Sequence, residues 1–87
     1  MSERLNERLA LRDICKDFEW EHRPDVLIVV EPGFGKHQWV IHMGACNFSA
    51  DGKFSKEASR TVIFGRENLK EQVLDVLNGM YAELYDV

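Results

Sequence analysis

Five side chains in this sequence belong to types that bind transition metals: His22, His37, His42, Cys15 and Cys46. His42 and Cys46 lie four residues apart in a segment with strand character, so they share one face but stand about 13 Å apart along it. Zinc ligands lie about 2.0–2.3 Å from their ion, so this pair does not chelate one metal. Because the sequence also has no Cys-x-x-Cys pair, we predict no metal site and no cofactor.

A second group of residues has the types used in acid–base chemistry. Asp17, Glu19, Glu21 and His22 surround Trp20, and carboxylates beside an imidazole can transfer protons. The group falls at the end of the first predicted helix with no nucleophile nearby in sequence, so we interpret it as a solvated helix end. We predict a protein that is not an enzyme. A small enzyme or ligand-binding subunit whose site is completed by an oligomer stays open as an alternative.

The segment Pro32-Gly33-Phe34-Gly35-Lys36 has the glycines and the lysine of a phosphate-binding loop. It lacks the Walker spacing and has no Ser or Thr after the lysine, and it leads into a strand rather than a helix. We interpret it as a hairpin connection in which the glycines adopt positive φ. Phe34 at the tip of this loop is expected to be exposed and is a candidate partner-binding residue.

Basic side chains recur every four residues along the first helix, and such a row can contact phosphates. The row consists of Arg4, Arg8, Arg12 and Lys16. Acids interleaved with these bases cancel their field at a distance, as on a solvated helix face; these are Glu3, Glu7, Asp13 and Asp17. Nucleic-acid binding through the basic row is the alternative function, and we do not expect generic DNA or RNA to bind.

The last part of the chain is acidic. Residues 67–87 contain five acids and one base, and their balance of −4 equals the formal net charge of the whole chain. Glu67, Glu71 and Asp75 follow one another at four-residue spacing and form one row on the outer side of the predicted helix. Glu83 and Asp86 lie near the helix C-terminus, where the dipole disfavours acids, so helix stability does not explain them. We predict that the acidic row meets a partner protein with a basic surface, and solubility is the alternative explanation.

These candidate residues are positioned by a predicted element order of α-β-β-β-α in one domain, 1–87. We predict a helix over 2–20, strands over 25–31, 37–49 and 54–64, and a last helix that begins after Asn68 as its N-cap. A short antiparallel sheet with an N-terminal and a C-terminal helix packed on one face is a two-layer α+β fold.

The first helix has one clear core face, formed by Leu11, Ile14, Cys15 and Phe18 at i, i+3, i+4 and i+7. At about 100° per residue, Leu5 and Leu9 point nearly opposite to that face. Either the helix breaks near residues 8–10, or its first half has a second apolar face. In the second case Leu5 and Leu9 contact a partner, for example in a homodimer.

The strands carry more specific predictions. The run Val26–Val30 is entirely apolar, so we predict that this strand is buried on both faces or is central in the sheet. Asp51-Gly52 predicts a two-residue hairpin turn between the second and third strands. That turn sets Ile41 opposite Val62 and Trp39 opposite Phe64.

The composition limits the class of protein. No apolar run reaches the length of about 18 residues that a membrane helix needs, and the polar N-terminus does not have the pattern of a signal peptide. Two cysteines are few for a small secreted domain, so we expect buried thiols in a cytoplasmic protein, with a Cys15–Cys46 disulfide as the alternative.

The predicted order of elements is similar to that of double-stranded-RNA-binding domains. Those domains bind phosphates with a basic cluster at the start of the last helix, whereas this sequence has Glu67-Asn68-Leu69-Lys70-Glu71 there. The resemblance therefore implies the shape and not the RNA-binding function. A small acidic domain without an active-site motif also looks like the inhibitors that phages and mobile elements encode against host nucleases, such as anti-CRISPR proteins. This likeness of class implies a protein partner.

Overall fold

A computed structural model describes residues 3–23, 25–45, 56–65 and 68–85 of the chain. Five elements follow one another in the predicted order. They are helix α1 (Glu3–Glu21), strands β1 (Val26–Pro32), β2 (Gln38–Ala45) and β3 (Lys56–Ile63), and helix α2 (Leu69–Tyr85). The strands form one antiparallel sheet in the order β1-β2-β3. The predicted α+β class with terminal helices is confirmed.

Both helices cover the same face of the sheet. On β2 the side chains of Trp39, Ile41 and Met43 are almost completely buried, while Val40 and His42 on the other face are partly exposed. Helix α1 packs against β1 and α2, and α2 packs against β3 and β2. The core therefore lies between one face of the sheet and the two helices, and the other face is open among the described residues.

The prediction for the first strand was wrong. β1 is an edge strand, and its side chains alternate between the two faces of the sheet. Val26 and Val30 are buried on the core face, whereas Leu27 and Val29 are exposed on the other face. The apolar run indicated a strand that is buried on both sides or central, but the two helices of the described ranges both lie on the opposite face from Leu27 and Val29. The apolar side chains of β1 therefore contribute to the surface as well as to the core.

The predicted register between β2 and β3 was wrong by two residues. Trp39 pairs with Val62, and Ile41 pairs with Arg60. A shift by two leaves every side chain on its predicted face, because side chains alternate with a period of two. The hydrophobic pattern therefore could not distinguish the two registers. The predicted turn at Asp51-Gly52, which set the wrong one, lies outside the described residues.

Helix α1 is continuous from Glu3–Glu21, so the predicted break near residues 8–10 is wrong. Leu5 and Leu9 are exposed on this unbroken helix, and the second apolar face is the correct alternative.

Helix α2 begins directly after Asn68, whose carbonyl accepts the first helical hydrogen bond from Gln72 N at 2.9 Å. Asn68 has a φ of 58°, which asparagine tolerates better than most residues.

Side chains from both helices cap the edges of the sheet. In an antiparallel edge strand, every second residue directs its N–H and C=O outward, away from the neighbouring strand. Ile28 occupies such an outward position on β1, and its N–H donates to Glu19 Oε2 at 2.8 Å. Pro32 occupies another outward position and has no N–H. On β3 the N–H of Ile63 points to Gln72 Oε1 at 3.4 Å. These contacts oppose pairing of the edges with further strands.

Candidate interaction surface

A buried carboxylate organises one end of the domain. Glu7 continues the core stripe of α1 one turn before Leu11, and it is only 3% exposed. Its Oε1 accepts a hydrogen bond from Trp39 Nε1 at 2.8 Å, and its Oε2 accepts one from His37 Nδ1 at 2.5 Å. A buried carboxylate is costly unless it is hydrogen-bonded, and here two donors from the sheet side satisfy it.

His37 has an unusual backbone conformation. Its φ of 61° lies in the left-handed region, which costs a residue with a β-carbon roughly 1–2 kcal/mol. Two contacts hold it there: the side chain binds Glu7, and the carbonyl accepts from Phe64 N at 2.7 Å. The β1–β2 loop is thereby tied both to α1 and to the start of the β3–α2 connection.

The loop itself closes around Gln38. Gly33 N donates to the Gln38 carbonyl at 2.9 Å, and Gly35 N donates to Gln38 Oε1 at 2.6 Å. A Cβ at either glycine would lie within 3.0 Å of the Gln38 side chain. The glycines therefore allow the close approach of Gln38 and do not adopt positive φ, so our prediction on their conformation was wrong. His37 is the loop residue that adopts positive φ.

Phe34 lies at the tip of the β1–β2 loop and is fully exposed, as predicted.

The domain has two ends. The loop end consists of the β1–β2 loop, the first half of α1 and the start of α2. The opposite end contains the end of α1, the start of β1 and the end of α2. At the loop end a loop with three internal hydrogen bonds presents a phenyl ring to solvent.

The opposite end is held by aromatic rings, and we call it the aromatic end. His22 stacks on Phe18 with ring centroids 4.0 Å apart, and Tyr81 lies 4.6 Å from His22 and 4.8 Å from Tyr85. The Tyr85 hydroxyl donates to the Asp25 carbonyl, which joins the end of α2 to the start of β1. The predicted acidic group around Trp20 borders this end, and Arg23 lies over the exposed Trp20 ring.

Exposed carboxylates of both helices form an acidic surface on the helical layer. Glu71 and Asp75 are exposed on the side of α2 opposite its buried residues. Asp13, Asp17 and Glu21 line a groove of about 340 Å³ between α1 and α2, together with one base, Lys70. Asp17 and Glu21 line only this groove, whereas Asp13 also lines the groove between α1 and β1 that contains Arg12, Lys16 and Glu19, so acids and bases remain interleaved on that side of the helix. Glu67, the first residue of the predicted row, lies outside the described residues.

Glu83 has a structural partner that the sequence did not reveal. It forms an ion pair with Arg60 of β3, and Arg60 Nη1 also donates to the Ser59 carbonyl at 2.8 Å. This acid therefore connects α2 to β3 at the edge of the sheet through a solvent-exposed ion pair. Asp86 lies outside the described residues.

The bases of the first helix lie on its β1 side. Arg8 and Arg12 border the surface above Ile28 and Val30. Arg12 and Lys16 line a groove of about 370 Å³ between α1 and β1, whose other walls include Leu9 and Leu27. The Arg4 side chain, also part of the predicted row, is outside the described side chains.

His42 lies at the centre of the open sheet face and contacts two side chains. Its Nδ1 lies 2.7 Å from Ser59 Oγ, and its Nε2 lies 3.0 Å from Glu31 Oε2. A serine, an imidazole and a carboxylate in this order are the parts of a nucleophilic triad. Here they lie on an exposed surface with no enclosing cleft among the cavities described above, so water is not excluded from the serine. We interpret them as a cross-strand polar network that ties the three strands together.

Of the two cysteines, the structure describes only Cys15. Cys15 is a buried free thiol, and burial, with a smaller contribution from the Glu19 carboxylate, raises its pKa from 9.0 to about 11. Such a thiol is a poor nucleophile at neutral pH. Cys46 lies outside the described residues. Within the described ranges, no group of three or more His, Cys, Asp and Glu side chains is arranged to hold a metal, and neither helix has the length and apolar character to cross a membrane.

Phe34, Glu71 and Asp75 are exposed as the sequence predicts, whereas the burial of Glu7 and its contacts with His37 and Trp39 were not predicted. The available signal was the core stripe of α1, which reaches Glu7 when it is extended back by one turn from Leu11. Comparisons of the chain with protein-family models, with curated proteins and with solved structures found no match.

Proposed function

We propose that this domain is a non-enzymatic protein–protein interaction module that engages a partner with a basic surface. The observation that carries the proposal is the fully exposed Phe34 on a loop whose shape is fixed by Gln38, His37 and the buried Glu7. An exposed phenyl ring costs solubility, and an ordered loop lowers the entropy lost on binding. Both features fit an aromatic anchor that inserts into a partner's pocket.

The acidic surface supports a positive charge on the partner's surface. Glu71 and Asp75 on α2, and Asp17 and Glu21 on α1, present carboxylates to solvent with Lys70 between them. Such a field speeds association with a positively charged surface more than it strengthens the complex. A small inhibitor or regulator, of the kind that phages and mobile elements encode, would use these two features without an active site of its own.

The proposal is tested first by capture of the partner. A photo-crosslinking phenylalanine analogue replaces Phe34, and cross-linked proteins from the native host are identified by mass spectrometry. The same analogue at Ile63, which is also exposed but lies on β3, serves as the control. A protein that cross-links from position 34 and not from position 63 is the expected result. No protein specific to position 34 would overturn the proposal.

Kinetics with the captured partner then separate the two features. We expect Phe34→Ser to accelerate dissociation, because truncation of an anchor acts on the bound state. We expect Glu71→Lys with Asp75→Lys to slow association at low salt. The matched control is Asp25→Lys with Glu57→Lys, which makes the same change in net charge at other exposed positions. Equal effects of both double variants would show that only net charge matters.

Nucleic-acid binding by Arg8, Arg12 and Lys16 is the second candidate, since these bases lie together on the β1 side of α1. The acidic surface on the other side of the same helix opposes it. We expect no binding of generic DNA or RNA at physiological salt in a fluorescence anisotropy titration. Micromolar binding that is lost with Arg8→Glu and Arg12→Glu, and that weakens steeply with salt, would favour this candidate instead.

A further inference from the structure

The groove between α1 and α2 combines apolar and acidic side chains. Its apolar lining consists of Ile14, Phe18 and Leu74. Ile14 and Leu74 are partly exposed, whereas Phe18 belongs to the core. With a volume of about 340 Å³, the groove is at the lower end of the size range of ligand sites. Its accessible apolar area therefore suits the stems of single side chains and not the face of another helix.

Three carboxylates line the α1 side of this groove. Asp13, Asp17 and Glu21 are exposed and follow one another at four-residue spacing. A helix rises about 1.5 Å per residue, so successive carboxylates stand about 6 Å apart along α1. The ion pairs within the described ranges join other residues, so no base there neutralises these three acids at contact distance.

The groove also contains one base of this chain, Lys70 of α2. A lysine can cover apolar surface with its methylene stem while its charged end stays in water, so its presence in the lining fits a groove that accepts basic side chains. Three acids and one base give the lining a formal charge of −2. The groove between α1 and β1 is balanced instead, and its charged residues are Arg12, Lys16, Asp13 and Glu19.

We propose that the groove between α1 and α2 binds an extended segment of the partner that has arginine at every second position. The inference rests on the proposed function for the positive charge of the partner. Alternate side chains of an extended chain point to one side and stand about 6.6–6.8 Å apart, close to the spacing of the three carboxylates. Arginine fits because its stem covers apolar surface and its guanidinium binds a carboxylate through two parallel hydrogen bonds.

The acids of α2 favour the same occupant. At about 100° per residue, Glu71 and Asp75 lie on the outer side of α2, next to the groove residues Lys70 and Leu74. Their charge attracts a basic segment toward the groove and opposes nucleic acid and anionic lipid. The contact is small and exposed to water, so it is weak by itself and adds to binding elsewhere on the domain.

The test is an NMR titration of the intact chain with a synthetic heptapeptide in which glycine alternates with three arginines. We expect shift changes concentrated at the amides of Asp17, Phe18 and Leu74, and binding that weakens with salt. A peptide of the same composition with its three arginines adjacent is the control for charge and should bind more weakly. Unchanged groove amides at roughly 5 mM peptide, a concentration suited to millimolar affinities, or equal affinity of the two peptides, would overturn the proposal.

Lys70→Ala provides a test with an effect of the opposite sign. It removes the cation that shares the groove with the carboxylates, so the alternating peptide should bind roughly two- to fivefold more tightly. Lys36→Ala makes the same change in net charge on the exposed β1–β2 loop and should have little effect. Weaker binding with Lys70→Ala, or an equal gain with Lys36→Ala, would contradict the proposed site.

Removal of the carboxylates should have the reverse effect. We expect Asp17→Asn with Glu21→Gln to weaken binding of the alternating peptide roughly three- to tenfold. Glu31→Gln with Glu57→Gln makes the same change in net charge on the open sheet face and is the matched control. Equal losses in both double variants, with the fold intact by circular dichroism, would show that only net charge attracts the peptide and would overturn the site. The titration does not involve Phe34, so a groove that binds no peptide leaves the cross-linking result at position 34 unaffected, and the reverse also holds.

Discussion

Different interactions stabilise the two ends of the domain. At the loop end, the buried Glu7 carboxylate accepts hydrogen bonds from Trp39 and His37, which lie 32 and 30 residues away in sequence. At the aromatic end, the rings of Phe18, His22 and Tyr81 pack at centroid distances of 4.0–6.2 Å. Hydrogen bonds to a buried charge require particular donors in particular places, whereas ring packing tolerates small changes of geometry.

This difference relates stability to the proposed function. A directional network fixes the loop of Gly33–His37 in one shape, and that loop carries Phe34. The aromatic end joins α1, α2 and β1 without presenting a loop of comparable order. The buried carboxylate therefore lies at the end of the domain that carries the proposed anchor Phe34, whereas the aromatic end is stabilised mainly by ring packing.

The largest effect is expected from Glu7→Ala. It leaves the Trp39 N–H buried without its acceptor and removes the partner that holds His37, so the free energy of unfolding should fall by about 3 kcal/mol. Glu31→Ala is the matched control, because it breaks the Glu31–His42 contact, which is exposed to water, and should cost less than about 1 kcal/mol. Urea denaturation followed by circular dichroism measures both. Similar losses would show that burial of Glu7 has no special role.

The next effect concerns an ionisable group buried between the two ends. The pKa of Cys15 is raised from 9.0 to about 11 by burial. The folded protein therefore keeps this proton at a pH where the unfolded chain loses it. The contribution of this proton to the free energy of unfolding is therefore complete below about pH 9. As the pH rises from about 9 to about 11, the free energy of unfolding falls by up to roughly 1.4 kcal/mol per pH unit.

This contribution is measured as the difference in unfolding free energy between wild type and Cys15→Ala across that pH range. The subtraction removes the titration of tyrosines, lysines and Cys46, which both proteins share. A difference that stays constant between pH 9 and pH 11 would mean that the Cys15 thiol titrates normally in the fold.

A smaller effect is expected at the aromatic end. Tyr81→Leu keeps an apolar side chain but removes three ring contacts, and we expect a loss of about 1–2 kcal/mol in the free energy of unfolding. Tyr85→Phe keeps its ring and removes only the hydrogen bond to Asp25, so a loss below about 1 kcal/mol is expected. A loss with Tyr85→Phe that exceeds that of Tyr81→Leu would show that this end also depends on directional bonds.

The sequence was sufficient for the elements and insufficient for the register between β2 and β3. Apolar spacing identified the core face Leu11, Cys15 and Phe18, and the alternation on β2 identified Trp39, Ile41 and Met43 as core residues. The same alternation has a period of two, so it could not exclude the register that was wrong by two residues. The apolar run over residues 26–30 indicated a doubly buried or central strand, although helices packed on one face, as predicted, leave the other face of the sheet uncovered.

The candidate site was predictable only in its local parts. Phe34 and the acids of α2 could be identified from the loop composition and the helix period. Glutamate is a residue type that usually lies on the surface. The burial of Glu7 depends on hydrogen bonds from His37 and Trp39, which form only when the sheet packs on α1.

The central claim is that Glu7 holds the loop that presents Phe34, and Glu7→Gln tests it most directly. The amide preserves the shape of the side chain but has one acceptor oxygen where the carboxylate has two and lacks its charge, so the hydrogen bonds to Trp39 and His37 are weakened whichever tautomer His37 adopts. Amide hydrogen exchange monitored by NMR should then accelerate roughly tenfold or more at Gly33 and Gly35, the equivalent of about 1.4 kcal/mol. Exchange at Leu77 in the core of α2 should follow only the global loss of stability. Unchanged exchange at the two glycines, or an equal increase at Leu77, would contradict the claim.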